Sequence, residues 1–259
     1  MPQPSGPTVI VAFTDLDDTL FQTLRKLPPG MQGLTPATLG RNGQPHSFCT
    51  PAQAALLAHF EASGITVIPV TGRDPAAMAR VTLPFTSWRV LDHGLTILRP
   101  DGQVDAEWRD RVLETLHPLQ DALEECTVAV SERAAALGCR LSRHTAHDTP
   151  FMTVLKHPDA DAGRLEQVQL VLEAHLATRG YADLHVIANA NNVSVLPRHL
   201  GKAEAVRHLR EQHFPQAALT LALGDSLSDL AFMNACDLAL TPPGGQLLRT
   251  LTAAKLPQR

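Results

Sequence analysis

The sequence predicts an α/β fold, a Rossmann-like parallel-sheet core domain carrying an inserted α+β cap domain. Short apolar, β-branched runs near both ends of the chain read as strands buried on both faces of a parallel sheet. Helical patterns alternate with those runs, as βα units require. Between the two sets lies a mixed block of helices and paired strands, which reads as an insertion. At 259 residues the chain is long enough for one large domain or two modest ones.

Residues 8–13 open the core as its first strand. Residues 34–39 and 46–49 flank Gly40-Arg41-Asn42-Gly43, and Asn-Gly is a strong hairpin signal, so a small flap is expected near 31–50. Thr50-Pro51 supplies a cap and a first-turn proline for a helix with Leu56, Leu57 and Phe60 at helical spacing. Gly64 ends that helix, and 65–70 is the next strand. Asp74-Pro75 starts a helix to about residue 81, and 88–91 is a third strand. Residues 95–98 and Val104 flank Arg99-Pro100-Asp101-Gly102, a second hairpin signature.

A helix over 106–123, irregular at Pro118, follows, and then a shorter one over 130–137. Strands 140–145 and 151–156 pair across His147-Asp148-Thr149-Pro150, and 161–178 is helical. Strands 184–188 and 192–196 turn near 189–191. A helix over 201–212, a strand over 218–223, a helix over 226–235 and a short strand over 238–240 return to the core. The core is therefore expected over 1–90 and 192–259, with the inserted domain over 91–191.

Composition narrows the function. Apolar residues make up 44% and charged residues 19%, an ordinary globular balance. The net charge of -4 and the 4% aromatic content give nucleic acid neither a basic tract nor stacking platforms. Cys49, Cys126, Cys139 and Cys236 form no CxxC pair and read as free thiols. No basic stretch leads into an apolar one of signal length at the start, and residues 9–13 are too short to cross a membrane. A cytoplasmic protein with no membrane partner is the expectation; length leaves the oligomeric state open. His144 and His147 do not read as a zinc site, because i,i+3 on a strand faces opposite ways.

Four groups carry chemistry. Asp15 and Asp17 follow the first strand, where open α/β sheets place ligands. One carboxylate can attack an electrophile and its neighbour can move a proton. Thr19 would brace this loop, with Leu20 and Phe21 anchoring it in the core. Thr71, Gly72 and Arg73 end the strand 65–70; Thr71 and the Gly72 N–H suit an anionic oxygen. Arg73 suits either the substrate or an ion pair with Asp74 or another acid. Lys202, placed against the helix dipole at a helix start, points to a nearby anion or carboxylate. Asp225 and Asp229 follow the strand 218–223, with Gly224 permitting close backbone approach. Carboxylates gathered this way call for a hard divalent cation, most simply Mg2+. Plain helix capping by Asp225 or Ser226 is compatible with that role.

These motifs, in this order, resemble the haloacid dehalogenase-like phosphohydrolases, and an insertion between Thr71 and Lys202 resembles their subclass IIB. Asn192-Val193-Ser194-Val195-Leu196-Pro197 with Gly201-Lys202 is similar to sucrose-phosphate and mannosylglycerate-phosphate phosphatases. The sucrose enzymes usually carry Gly and Asp where Asn189 to Ser194 stand here, which leaves the particular sugar open. The resemblance implies that Asp15 attacks phosphorus, that Asp17 acts as acid and then base, and that Thr71 and Lys202 hold the phosphoryl group. It also implies Mg2+ on Asp15, the Asp17 carbonyl and Asp225, with Asp229 in support. A hydroxyl-rich substrate would meet Lys156, His157, Asn189, Asn191, Asn192 and Arg198 from the insertion and Arg73 and His93 from the core. The expectation is hydrolysis of a small phosphorylated sugar or glycoside; a phosphomutase and a non-catalytic phosphate-binding protein are the alternatives.

Overall fold

A computed structural model describes residues 8–189 and 191–253. The segment read as having no leader, the two ends of the expected core (1–7 and 254–259) and Ala190 in the expected turn lie outside the described residues. The first elements are β1 (Ile10–Thr14), β2 (Gln22–Thr23), β3 (Thr35–Leu39), β4 (Pro45–Cys49), α1 (Pro51–Ala62), β5 (Thr66–Pro69), α2 (Pro75–Met78), β6 (Arg89–Leu91) and β7 (Thr96–Leu98). Next come α3 (Ala106–Leu116), α4 (Gln120–Ala136), β8 (Arg140–Ala146), β9 (Thr149–Lys156), α5 (Ala162–Arg179), β10 (Leu184–Ala188) and β11 (Asn192–Pro197). The chain continues through α6 (Lys202–Gln212), β12 (Leu219–Leu223), α7 (Leu230–Met233), β13 (Leu238–Leu240) and α8 (Gln246–Ala253).

Two compact units result, one up to Asp105 and from Lys202 onward, the other Ala106–Gly201. The expected boundaries at 90/91 and 191/192 fall inside paired elements instead. Arg89–Leu91 is hydrogen-bonded to Thr96–Leu98, and Asn192–Pro197 lies between β9 and β10.

In the first unit a parallel sheet runs in the order β13-β12-β1-β5. Val11, Ala12 and Phe13 are fully buried, which is why β1 is apolar throughout rather than alternating. Thr14 pairs with Leu223 on one side and Pro69 on the other, so β1, β5 and β12 end level with one another. Leu16, Leu20 and Phe21 fold back into the core beside Phe60 and Leu91. Each such side chain contributes about 1.5–3 kcal/mol by leaving water, and together they hold the loop after β1 in place.

The expected flap is present as β3 and β4, antiparallel, with β2 added to β4. Thr50 and Gln53 form a capping box at the start of α1. Several expectations are corrected. The helix after Asp74 is a single turn, because Arg80 and Val81 bond three residues back and Val81 bridges to Thr38 of the flap. β6 pairs antiparallel with β7, and beyond the end of β5 it is joined in parallel by a Val70–Val90 bridge and a hydrogen bond from the Thr71 N–H to the Val90 carbonyl. Asp92 and His93, both at positive φ, turn the chain there. The hairpin expected across residues 99–102 is present: Leu98 bridges antiparallel to Val104, the Arg99 N–H donates to the Gln103 carbonyl and the Gly102 N–H to the Arg99 carbonyl. After β12 the expected helix over 226–235 is a 3-10 turn over Leu227–Asp229 followed by α7. α8 was not expected, since Pro242 and Pro243 mask its start.

The second unit is an antiparallel sheet, β10-β11-β9-β8, with α3, α4 and α5. Leu123, Cys126, Val130, Leu155, Val168 and Val193 are among its core side chains. The two expected helices over 106–123 and 130–137 are corrected. Pro118 lies in a 3-10 turn that ends α3, and α4 then runs unbroken from Gln120 to Ala136. β8 turns into β9 through His147 and Asp148, both at positive φ as a tight two-residue hairpin requires. The four cysteines are free.

Candidate active site

The loop after β1 is shaped by its own backbone. The Asp15 N–H continues the sheet by donating to the Leu223 carbonyl at 2.8 Å, and Asp18 turns the chain at φ 66. Asp and Asn tolerate this left-handed region better than other side chains. The Thr19 hydroxyl donates to Asp15 Oδ2 at 3.4 Å, and Gln53 Nε2 donates to the Thr19 carbonyl at 3.0 Å. Gln53 therefore ties the acidic loop to α1, a role not anticipated from the sequence. The capping-box spacing was the one signal that pointed to it.

Lys202, the first residue of α6, is the centre of the charge network. Its Nζ donates to Asp15 Oδ1 and to Asp229 Oδ1, both at 2.7 Å. All three side chains are nearly buried, with exposures of 9%, 9% and 1% for Lys202, Asp15 and Asp229. Asp229 Oδ2 accepts from the Ser226 N–H at 3.0 Å and from its hydroxyl at 2.7 Å, which fixes the carboxylate's orientation. Gly224 makes room: a Cβ there would lie 2.6 Å from the Asp229 Cβ and 2.8 Å from Met233 Sδ. Helix capping and site building therefore coexist at residues 224–229.

Asp15, Asp225 and Asp229 each offer a carboxylate oxygen, and these oxygens lie within 4.8 Å of one another. Burial, with Asp229 and Asp17 adding to it and Lys202 opposing it, pushes the Asp15 carboxyl upward. Burial and then Asp229 push Asp225 up to about 6. For Lys202, burial works against its charge, but Asp15 and Asp229 outweigh it and raise the pKa. One ammonium facing three carboxylates leaves two negative charges. A hard divalent ion such as Mg2+ suits that charge and this all-oxygen donor set.

Asp17 points elsewhere. Arg73 Nε and Nη2 donate to its two oxygens at 2.7 Å each, a bidentate pair. Arg73 also lies over the Phe21 ring. The ion pair expected for Arg73 with Asp74 or another acid is therefore made with Asp17, while Asp74 caps α2 by accepting from the Ala77 N–H. Thr71 is buried, its N–H bonded to the Val90 carbonyl, and its hydroxyl accepts from the Arg73 N–H at 3.2 Å. The His93 ring packs directly on Gly72, in space a Cβ would need.

The second unit gathers only part of its expected set. Lys156, Asn189, Asn191 and Asn192 meet at one end of its sheet: Asn192 pairs with Lys156, and the Asn189 N–H donates to the Asn192 carbonyl. His157 and Arg198 are engaged by the fold itself. His157 Nδ1 accepts from the Asp159 and Asp161 N–H groups, and its Nε2 lies 3.4 Å from Arg164. Arg198 donates to the Ala182 and Leu184 carbonyls. Both side chains pin loops, which is why polar character alone misread them.

A parallel sheet with level strand ends, an acidic cluster there and a lysine clamping it define a haloacid dehalogenase-like α/β protein of subclass IIB. The family described as sucrose-6F-phosphate phosphohydrolase matches residues 50–239, and the chain belongs to that family. The Synechocystis sucrose-phosphatase structure, in complex with sucrose and phosphate, has a TM-score of 0.58 at 15% identity, covering 97% of this chain and 100% of that one. The C-terminal domain of Candida albicans trehalose-6-phosphate phosphatase gives 0.60 at 15% identity, covering 88% and 74%. An Aspergillus fumigatus trehalose-6-phosphate phosphatase gives 0.51 at 18%, covering 92% and 84%. At these identities the structures speak for a shared fold. No curated protein matches the chain. Among the described residues no helix is long and apolar enough to cross a membrane.

Proposed function

We propose that the protein hydrolyses the phosphomonoester of a small sugar or glycoside with Mg2+, through an aspartyl-phosphate on Asp15. The observation that carries this reading is the Lys202 ammonium shared between Asp15 and Asp229 at 2.7 Å, beside Asp225. Family membership supports a small phosphorylated substrate, and the sucrose and phosphate held by the Synechocystis relative supply the ligand class.

Asp15, Asp225 and Asp229, with the Asp17 carbonyl, would hold the ion. Bound there, Mg2+ would offset the remaining carboxylate charge and polarise a phosphoryl oxygen. The fixed Asp15 carboxylate attacks phosphorus, and the bond to the leaving oxygen breaks. Lys202 and Thr71, with the Gly72 N–H, stabilise charge on the phosphoryl oxygens. Asp17 protonates the leaving oxygen and then takes a proton from the water that hydrolyses the acyl phosphate. Its bidentate pair with Arg73 must open before the carboxyl can give a proton. Asp17 is 54% exposed in that pair, so water can replace Arg73 at its carboxylate as the pair opens. His93, whose ring packs on Gly72, is the proposed contact to a substrate hydroxyl.

The test is release of inorganic phosphate from an aryl phosphate with Mg2+, followed by a screen of phosphorylated monosaccharides, disaccharides and glycosylglycerates. Asp15→Asn is expected to abolish release. Higher kcat/KM for nucleotides or phosphoamino acids than for any sugar phosphate would overturn the substrate class, and full activity in Asp15→Asn would overturn the mechanism.

A further inference from the structure

Away from the acidic cluster, the first unit holds a second group of ligand-type side chains that the proposed phosphatase chemistry does not use. Asp105, His208 and His213 each present a ligating atom, and the three lie within 4.8 Å of one another. Asp105 Oδ1 is 3.8 Å from His208 Nε2, and Asp105 Oδ2 is 3.8 Å from His213 Nε2. Those contacts are too long for hydrogen bonds. His213 Nε2 is buried and makes no hydrogen bond among the described residues, a cost unless something else meets the nitrogen.

The side chains are held before any ligand arrives. His208 sits on α6 and is 4% exposed, and Asp105 is 7% exposed. The His213 N–H donates to the Leu209 carbonyl, extending the helical turn past α6, and its ring stacks on Trp88 at 4.0 Å. The Asp105 N–H donates to the Ile97 carbonyl. His213 remains 28% exposed, which leaves a route in from solvent.

From this geometry we infer that Asp105, His208 and His213 form a second cation site, selective for Zn2+ or a similar first-row transition ion. Two imidazoles and one carboxylate suit such an ion and disfavour Mg2+ and Ca2+, which prefer oxygen. Ligand atoms about a tetrahedral Zn2+, each at about 2.0–2.1 Å, lie roughly 3.3 Å apart. Closing each 3.8 Å gap therefore takes roughly half an ångström. Three protein ligands leave a fourth position for water or a small anion. The ion would clip Asp105, the last residue before the chain leaves the first unit, to α6, whose first residue is Lys202.

The experiment is calorimetric titration of chelator-treated protein with Zn2+, with excess Mg2+ present to fill the all-carboxylate site. One Zn2+ per chain is expected, with a rise in melting temperature. His213→Ala and Asp105→Asn should each weaken binding by more than the roughly 10- to 100-fold that losing a merely supporting partner costs. Zinc-edge X-ray absorption of the wild-type protein should show two imidazoles on the ion, a readout independent of how the variants fold. No uptake in excess Mg2+, an all-oxygen shell, or binding retained in both variants would overturn the site.

Discussion

Replacing Lys202 with methionine keeps most of the side-chain volume and removes the one ammonium in the acidic cluster. In the wild type that ammonium bonds two carboxylates at 2.7 Å, and none of the three side chains is more than 9% exposed. Removing one partner of a buried ionic group typically costs about 3–5 kcal/mol, because the remaining charge stays buried without compensation. Three carboxylates would remain together, so the upper part of that range is expected. For a chain of this size the loss corresponds to a melting shift of about 2–4 °C per kcal/mol. Lys202→Met/Asp229→Asn should recover about 1–3 kcal/mol of the loss, since it removes one of the stranded charges. The amide introduced by Asp229→Asn would keep an oxygen for the Ser226 N–H and gain a donor for Asp15. Urea denaturation followed by circular dichroism at pH 8 in EDTA, read as a double-mutant cycle, measures both quantities. A loss under about 1 kcal/mol for Lys202→Met, or no recovery in the double variant, would refute the argument that the lysine compensates buried charge.

Three further outcomes follow from the same geometry. Gly224→Ala places a Cβ 2.6 Å from that of Asp229; it should destabilise by about 1–3 kcal/mol and lower kcat, both measurable on the purified variant. Burial pushes Asp92 up to about 6 despite a hydrogen bond with Thr96. A raised carboxyl stabilises the fold below its unfolded value and loses that contribution as pH rises through the folded one. Stability should therefore fall between about pH 4 and 6, by roughly 3 kcal/mol at most, and Asp92→Asn should flatten that slope in pH-dependent denaturation. Chelation should abolish phosphate release and Mg2+ should restore it, while Asp225→Asn should need far more Mg2+ for the same rate in a titration of activity against metal.

Much of this was legible because the decisive signals are local. The apolar run of β1 with Asp15 after it, the Thr50 cap and the segment Gly224 to Asp229 each declare themselves within a few residues, and the structure realises all three. α4 was harder. Its buried face mixes Leu123, Cys126, Thr127, Val130 and Ala134, too weakly apolar to show a helical period beyond Pro118. The Arg73–Asp17 pair joins residues 56 positions apart, and nothing near either residue announces it. His157 and Arg198 show the opposite failure: polar side chains that looked available are bonded to the backbone around them. Asp105, His208 and His213 converge only when the sheet and α6 bring distant segments together.

The nucleophile assigned to Asp15 is tested most directly by trapping. Protein turning over a sugar phosphate with Mg2+ is quenched in acid, and its peptides are weighed by mass spectrometry. One phosphoryl group is expected on the peptide containing Asp15, accumulating further in Asp17→Asn and absent in Asp15→Asn. Steady release of phosphate with that peptide never phosphorylated, in wild type or in Asp17→Asn, would contradict the assignment and point to direct attack by water.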